Sequence, residues 1–92
     1  MTVDEAIQKH LLLVAAKPEY PYEARVRGRT GAGLFELKFD YESGHLLEVH
    51  VVKSTGDRYL DGHGIGALKA WQAKPRSIHN LCVPITFKRT RY

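Results

Sequence analysis

The chain has 92 residues, a length that predicts one domain with a single hydrophobic core. Hydrophobic residues make up 43% and charged residues 26%, the composition of an ordinary globular protein, and no apolar run approaches the roughly 20 residues of a membrane-spanning helix. The formal net charge is +4, and a single cysteine, Cys82, excludes an internal disulfide.

The excess positive charge lies in two groups that would suit an anionic partner such as nucleic acid. They are Arg25, Arg27 and Arg29, and near the end of the chain Lys88, Arg89 and Arg91. Aromatic residues are not interleaved with these arginines as a stacking platform for bases would need. Solvated surface charge is therefore favoured over nucleic-acid binding.

The first segment, Thr2 to Ala16, is predicted to be helical. Thr2 and Glu5 fit a capping box, apolar residues recur at helical spacing, and Pro18 ends the pattern. Leu11 to Val14 would also suit a short strand, and this alternative stays open. The longest apolar run, Leu11 to Ala16, follows acidic residues, which makes it a poor signal peptide.

A second, shorter helix is predicted from Glu19 to Gly28. Pro21 suits the first helical position, where the missing N–H is not needed. Glu23 favours the positive N-terminus of the helix dipole and Arg27 the negative C-terminus. Gly28 is placed to follow the C-cap in the left-handed conformation.

Alternating apolar and polar residues predict two strands joined by a tight turn. After a flexible entry at Gly31 and Gly33, the first strand runs from Phe35 to Tyr41. A turn containing Gly44 leads to the second strand, Leu46 to Lys53, which should pair back as a hairpin. The residues of the second strand expected to face the core are Leu47, Val49 and Val51.

The segment after the hairpin predicts a break followed by an amphipathic helix. Gly56 lies in the break, Asp57 is the candidate N-cap, and the helix carries Trp71 and stops at Pro75. Leu60, Leu68 and Trp71 should be buried. The unusual glycines at 62, 64 and 66 mean either that the helix begins late, near Ile65, or that the helix packs closely on the sheet.

The last strand alternates Leu81, Val83, Ile85 and Phe87 with polar or small residues. The helix carries the chain back across one face, so this third strand should run parallel to the second and lie beside the first. The sequence thus predicts an α+β fold, a three-stranded antiparallel sheet of order 2-1-3 with helices packed on one face. Pro84 is consistent with this order, which places the third strand at an edge of the sheet, where proline is tolerated.

A family resemblance follows from several short motifs in a fixed order. They are Tyr20-Pro21 with Ala24 and Gly28, then Gly31, Gly44, Val52 to Gly56, Leu60-Asp61, Ala67-Leu68, Trp71 with Lys74-Pro75, and Val83-Pro84-Ile85 before Phe87. From Pro18 to Phe87 the chain resembles the C-terminal domain of TonB-family energy transducers. We therefore divide it into an N-terminal helical extension, 1–17, and a TonB-like domain, 18–92.

The resemblance implies a periplasmic domain that docks the extended N-terminal box of outer-membrane transporters by strand addition. It also implies that the domain passes on force derived from the inner-membrane proton gradient. Family members usually carry a membrane anchor and a proline-rich spacer, and neither is in this sequence. We expect either an excised domain or a stand-alone relative, which would reach the proton-motive complex through an anchor missing here.

The third strand is the expected docking edge. The second strand exposes charged side chains that discourage pairing with other chains, whereas Ile78 to Phe87 carries no charge apart from a protonatable His79. The predicted partner-binding residues are Leu81, Cys82, Val83, Ile85 and Thr86, with Tyr20, Pro21 and Tyr22 as groove residues that would equally suit packing on the sheet. A second proline, at whichever of Val83 or Ile85 has its N–H outward, should block docking.

The residues predicted to be structural are Gly28, Gly44, Gly56, Leu60, Leu68, Trp71, Pro75 and Phe87. The five histidines show no HxxxH or HExxH spacing, and Ser54 and Cys82 have no evident catalytic partner. We therefore expect a protein-binding domain with no enzymatic activity, metal or cofactor. The alternatives are a small basic nucleic-acid-binding module and a homodimer formed by edge pairing or exchange of the third strand.

Overall fold

The computed structural model describes residues 2–88 and contains three helices and five strands in that range. In chain order they are α1 (Val3–Gln8), β1 (Leu12–Val14), α2 (Tyr22–Val26), β2 (Gly31–Phe39), β3 (Leu46–Lys53), α3 (Arg58–Leu68), β4 (Gln72–Ala73) and β5 (Asn80–Phe87). Within these residues no helix is both long and apolar enough to cross a membrane. Arg89 and Arg91 of the second basic group lie outside the described residues.

The main sheet has three antiparallel strands in the order β3-β2-β5. This confirms the predicted α+β fold and the order 2-1-3. The ladder between β2 and β5 is regular over its whole length, from Gly31 opposite Phe87 to Lys38 opposite Asn80. The order places β3 and β5 at the two outer edges of the sheet.

One face of the sheet forms the hydrophobic core, and α3 covers part of it. The buried core residues are Ala6, Ala24, Phe35, Leu37, Phe39, Leu60, Leu68, Trp71, Ala73, Ile78, Leu81, Val83, Ile85 and Phe87. The alternation predicted for the first and last strands is confirmed, because every second residue from Phe35 to Phe39 and from Leu81 to Phe87 is buried.

The helix α2 is shorter than predicted and has a well-defined end. Pro21 is its N-cap in extended conformation, not its first helical residue. At the other end Gly28 has φ +69, its N–H donates to the Arg25 carbonyl, and the Arg29 N–H donates to the Ala24 carbonyl. This pair of hydrogen bonds is a Schellman motif, which confirms the structural role predicted for Gly28.

Gly31 and Gly33 belong to β2 and are not a flexible entry. A Cβ at Gly31 would lie 2.3 Å from the Thr55 carbonyl oxygen, and one at Gly33 would lie 2.8 Å from that of Lys53. The end of the neighbouring strand and the loop after it approach the backbone too closely for a side chain. Gly44 is required for a similar reason, because it has φ +80 and its Cβ would lie 2.1 Å from the Ala73 carbonyl oxygen.

The strand β3 has the predicted bounds, and Val49 and Val51 lie on the core side as predicted, but Leu47 does not follow the predicted pattern. Of its residues, only Leu46 and Val49 are half-buried, whereas Leu47 is 67% and Val51 44% exposed. Leu47 is the additional residue of a register shift, since Phe39 lies opposite Leu46 and Lys38 opposite Glu48. Val51 lies opposite the buried Phe35 and is on the core side of the sheet, at its outer edge.

The helix α3 begins at Arg58, and Asp57 is its N-cap as predicted, accepting hydrogen bonds from the N–H groups of Tyr59 and Leu60. The late-start alternative is therefore wrong. Close packing explains Gly64 alone, where a Cβ would lie 3.3 Å from Ile85 Cδ1. A Cβ at Gly62 or Gly66 would have no atom within 4 Å.

The helix ends at Leu68, so Trp71 and Pro75 follow it and the predicted helix up to Pro75 is wrong. Trp71 is nevertheless buried, as are Leu60 and Leu68, and this part of the prediction is confirmed. The chain after Trp71 forms β4, which pairs with β1 in a second, two-stranded sheet. The Lys74 N–H donates to the Leu11 carbonyl at 2.8 Å and extends this connection.

The N-terminal segment is not one helix. Thr2 caps α1 through its side chain as predicted, but α1 ends at Gln8, and Leu12–Val14 forms a strand. The strand alternative for Leu11 to Val14 is thus the one observed. His10 lies between the two elements with φ +56, a conformation that ends the helix and redirects the chain.

Candidate functional site

The outer edge of β5 is the candidate site, and its backbone direction follows from one hydrogen bond. The Phe39 N–H donates to the His79 carbonyl at 2.9 Å, so His79 directs its backbone groups toward β2. In an antiparallel ladder this direction alternates along the strand. Leu81, Val83, Ile85 and Phe87 therefore pair with β2, and the intervening residues direct their N–H and C=O groups outward.

The outward groups belong to Asn80, Cys82, Pro84 and Thr86. Pro84 thus interrupts no hydrogen bond of the ladder, because its missing N–H would have pointed away from β2. Its position reduces the outward donors of the strand to those of Asn80, Cys82 and Thr86. Pro84 leaves a carbonyl at the edge, so an added strand would find four acceptors and three donors there.

This geometry corrects the expected roles of several predicted partner-binding residues. Leu81, Val83 and Ile85 direct their backbone to β2, and their side chains are at most 6% exposed. The premise that Val83 or Ile85 has an outward N–H is therefore wrong for both. Of the predicted residues on this strand, Cys82 and Thr86 are the ones whose backbone groups are directed away from β2 and whose side chains are exposed.

A groove of about 330 Å³ runs beside this edge, and its lining is mostly apolar. Its walls come from α1, from the segment after β1, from Trp71 and from β5. The lining residues are Val3, Ile7, Ala15, Lys17, Pro18, Tyr20, Trp71, Val83, Pro84, Ile85, Thr86 and Phe87. Side chains of a chain paired with β5 would lie next to this groove.

Tyr20 and Trp71 are held in the groove wall by hydrogen bonds to the backbone. The Tyr20 hydroxyl donates to the Arg29 carbonyl, and its ring meets Phe87 edge-on with 5.7 Å between ring centroids. The Trp71 indole Nε1–H donates to the Ala16 carbonyl at 2.8 Å. These bonds satisfy the polar ends of both rings and leave their apolar surfaces for the groove.

The other two predicted groove residues lie elsewhere. Pro21 caps α2 and is half-buried, and Tyr22 is 71% exposed with the Arg25 guanidinium 5.9 Å from its ring centroid. Neither residue lines the groove beside β5. Of the three residues predicted around Pro21, the structure brings only Tyr20 to the candidate site.

The N-terminal segment contributes to this site in a way that sequence reasoning missed. Thr2 forms an isolated parallel bridge with Cys82, and Ala6 is fully buried in the core. α1 therefore lies against the outer edge of β5. The Thr2 capping signal predicted a helix start, but no local pattern says which distant strand a short helix contacts.

The arginines of α2 and the following loop are engaged within the molecule. Arg29 forms an ion pair with Asp57 at 3.4 Å, and its guanidinium lies 5.8 Å from the centroid of the Tyr59 ring. Together with the contact between Arg25 and Tyr22, this places aromatic rings next to two of the three arginines. The Arg25 contact lies within α2, and the Arg29 contacts join the loop after α2 to the start of α3. They do not form a line of exposed rings along which bases could stack.

The histidines are distributed over the molecule. His50 pairs with Glu48, His63 contacts the Tyr59 ring, and His79 stacks on Tyr41 with 4.3 Å between ring centroids. Within residues 2–88, no three His, Cys, Asp or Glu side chains come together in an arrangement that would hold a metal ion. The absence of a metal and of a cofactor stays a prediction.

Comparison with known proteins gives a consistent result along most of the chain. Residues 16–91 match the model of a family described as the Gram-negative bacterial TonB protein C-terminal. A TonB protein of Vibrio cholerae is 30% identical over 84 residues, an alignment that covers 85% of this chain and 34% of that protein. The chain thus spans about a third of the length of this relative.

Two solved structures have the same fold. The solution NMR structure of the Pseudomonas aeruginosa TonB C-terminal domain has a TM-score of 0.72 at 23% identity, covering 88% of this chain and 87% of that one. The Helicobacter pylori TonB C-terminal domain has a TM-score of 0.61 at 26% identity, with coverages of 94% and 88%. The family match begins at residue 16, and the division of the chain at 17/18 stays a prediction.

Proposed function

Because the chain belongs to the TonB C-terminal domain family, we propose that it docks the extended box peptide of an outer-membrane transporter along the outer edge of β5. The family consists of energy-transducing or protein-binding domains and not of enzymes. The observation that carries the proposal is the edge itself, where outward backbone groups at Cys82, Pro84 and Thr86 adjoin an apolar groove.

Backbone pairing would supply the affinity, and the groove would supply selectivity. A chain added to β5 directs alternate side chains to the core side of the sheet, where Trp71, Tyr20 and Phe87 form apolar walls. We expect a partner peptide with apolar residues at alternate positions to bind better than one that is polar throughout. Charge plays a small part, because Lys17 is the only charged residue in the groove lining among residues 2–88.

The energy-transmitting part of the role is proposed from the family alone. It would place the domain in the periplasm, tethered to the inner membrane and its proton-motive complex by an anchor outside this sequence. A peptide added as a strand is suited to carry force, because a pull along it loads several hydrogen bonds perpendicular to the strand at once.

The test compares two proline substitutions at outward N–H positions on the two edges. Thr86→Pro removes a docking donor from β5 without removing a ladder bond. Val51→Pro is the matched control, because Val51 lies opposite Phe35 at a position where the β2–β3 ladder directs backbone groups outward. We expect both variants to fold and only Thr86→Pro to lose calorimetric binding of a synthetic transporter-box peptide.

Loss of binding in Val51→Pro with full binding in Thr86→Pro would move the site to β3. The same titration at several salt concentrations separates peptide docking from the nucleic-acid alternative. Backbone pairing should change little with moderate salt, whereas phosphate binding falls steeply. Binding of an oligonucleotide that weakens in this way, with no peptide binding, would replace the proposal by the basic nucleic-acid-binding module.

A further inference from the structure

The outer edge of β5 already has an occupant from within the chain. Thr2 forms a parallel bridge with Cys82, and α1 follows directly. Ala6 is fully buried, and Val3 is half-buried against the core. The Thr2 hydroxyl accepts the Glu5 N–H at 3.3 Å and caps the helix at the point where it meets the strand.

The bridge uses the position in which a docked peptide would lie. Thr2 lies on the outer side of β5, so the bridge must use the outward backbone groups of Cys82. A docked peptide would pair with the same groups, because adjacent strands in a sheet lie about 4.8 Å apart. That space holds one chain. Since Pro84 has no N–H, a peptide that avoids Thr2 would find outward donors only at Asn80 and Thr86, at opposite ends of the edge.

We propose that α1 and Thr2 form a displaceable internal competitor for the docking edge, an inference that rests on the function proposed above. A peptide pairing through Cys82 must replace Thr2, and the domain alternates between an occupied and an open edge. The apparent dissociation constant of the peptide is then the intrinsic one divided by the fraction of open molecules.

The attachment of α1 is weak enough for such an exchange. A helix of six residues is not stable by itself, so its contacts with β5 and the core hold it in place. Its only fully buried residue is the small Ala6, and Ile7 is 55% exposed. The following strand β1 is fixed to β4, which confines the movement to the residues before the bend at His10.

The substitution that tests this is Gln8→Pro, with Gln8→Ala as its matched control. Gln8 is exposed, so neither variant removes a core contact, but proline in the last turn disrupts the helix and alanine preserves it. If about 90% of molecules have an occupied edge, Gln8→Pro should bind the transporter-box peptide about tenfold more tightly than the unmodified chain. Gln8→Ala should bind like the unmodified chain.

A second measurement needs no substitution. Amide hydrogen exchange of the unmodified domain should change in opposite directions when the peptide is added. The Ala6 and Lys9 amides, which donate within α1 to the carbonyls of Thr2 and Glu5, should lose protection. The outward Thr86 amide should gain it. The Arg29 amide, bonded to the Ala24 carbonyl in α2, is the internal control and should not change.

The outcomes separate this inference from the proposed function. If the peptide protects Thr86 while α1 stays protected, and Gln8→Pro binds no more tightly, docking stands and the competitor is refuted. If the peptide binds neither the unmodified chain nor Gln8→Pro, both proposals fail. Tighter binding by Gln8→Pro together with loss of α1 protection on docking is the result that supports the competitor.

Discussion

At the residue scale, the carboxylate of Asp61 ties the start of α3 to the loop that precedes it. Its carboxylate accepts hydrogen bonds from the Ser54 hydroxyl, from the Thr55 N–H at 2.9 Å and from the Thr55 hydroxyl at 2.6 Å. Burial raises the pKa of the Asp61 carboxyl, but these three hydrogen bonds outweigh it and lower the pKa below its ordinary value. Asp61 therefore anchors the loop between β3 and α3 in its ionised form.

We predict that Asp61→Asn destabilises the domain by about 1–2 kcal/mol at neutral pH, because hydrogen bonds to a charged acceptor are lost. A carboxyl whose pKa is lowered on folding stabilises the fold fully above its unfolded pKa of about 3.9 and loses this contribution as the pH falls through the folded value. Urea unfolding from about pH 6 to about pH 2 should show the difference between variant and parent shrinking. If the difference in unfolding free energy between variant and parent stays constant across this range, the charge of Asp61 does not stabilise the fold. Glu19→Gln, at an exposed residue, is the control.

The glycines of α3 differ in their surroundings, and this gives a second prediction at the residue scale. Gly62→Ala and Gly66→Ala should each stabilise the domain by about 0.5–1 kcal/mol, because a helical Cβ there meets no atom within 4 Å. Gly64→Ala should give no such gain, since its Cβ would press on Ile85 Cδ1 at 3.3 Å. Thermal unfolding measures all three, with about 4–8 °C expected per kcal/mol in a domain of this size. A gain at Gly64 equal to that at Gly62 would show that the contact with the sheet is loose.

At the element scale, strands of the main sheet were predicted better than helices. Apolar and polar residues alternate over Phe35 to Phe39 and over Leu81 to Phe87, and this alternation shows directly which face of each strand is buried. Few other structures give a repeat of two residues, so the pattern is specific to a strand. The predicted helices ran too far at their ends because their apolar residues belong to other elements. Leu12–Val14 and Gln72–Ala73 pair with each other, and this contact across some 60 residues leaves no local pattern.

Trp71 shows how an element boundary can be wrong while the packing role is right. It lies after α3 and is buried to 94%, between the helix and the N-terminal segment that it contacts through Ala16. Helical spacing from Leu68 predicted its burial, and the ring is buried although the helix ends before it, because a large aromatic side chain gains from burial in any backbone conformation. The indole hydrogen bond that fixes the ring could not be predicted, because the acceptor is a backbone carbonyl distant in sequence.

We predict that Trp71→Ala costs about 3–5 kcal/mol of folding free energy, a large part of the total stability of a domain this small. Trp71→Phe keeps an aromatic ring but loses the bond to the Ala16 carbonyl, and it should cost less than the alanine variant, about 1–2 kcal/mol. Chemical denaturation measures the free energy of unfolding of the parent and both variants, which should decrease from the parent to Trp71→Phe and then to Trp71→Ala. An alanine variant that melts within a few degrees of the parent would show that Trp71 is not a core residue.

At the scale of the whole molecule, the strand order could be predicted. The outward backbone positions of β5 and the segment that contacts them could not. A hairpin followed by a helical crossover leaves one place for the last strand in an antiparallel sheet, and Pro84 identifies that strand as an edge. Which residues of β5 direct their backbone groups outward depends on the register with β2. A shift of one residue would exchange the outward and inward positions. The contact of Thr2 with Cys82 depends on tertiary packing of a six-residue helix, which no periodicity encodes.

The last prediction concerns self-association, and it follows from the outward position of Pro84 on β5. Pro84 lies between Cys82 and Thr86 on the outer edge, where its missing N–H would weaken the proposed docking and would discourage two copies from pairing through β5. Pro84→Ala adds an outward donor without altering the ladder with β2. We expect it to bind the transporter-box peptide about two- to tenfold more tightly, as one added hydrogen bond allows, and to form dimers at high protein concentration.

Sedimentation velocity over a range of concentrations measures the dimer, and calorimetry measures the peptide. The control is Pro84→Ala combined with Thr86→Pro, which again places a proline on the edge and removes an outward donor two residues away. This double variant should return to the association state of the parent and bind the peptide poorly. If Pro84→Ala neither dimerises nor binds more tightly, the donors of this edge do not limit pairing, and a homodimer through β5 would have to form by exchange of the whole strand.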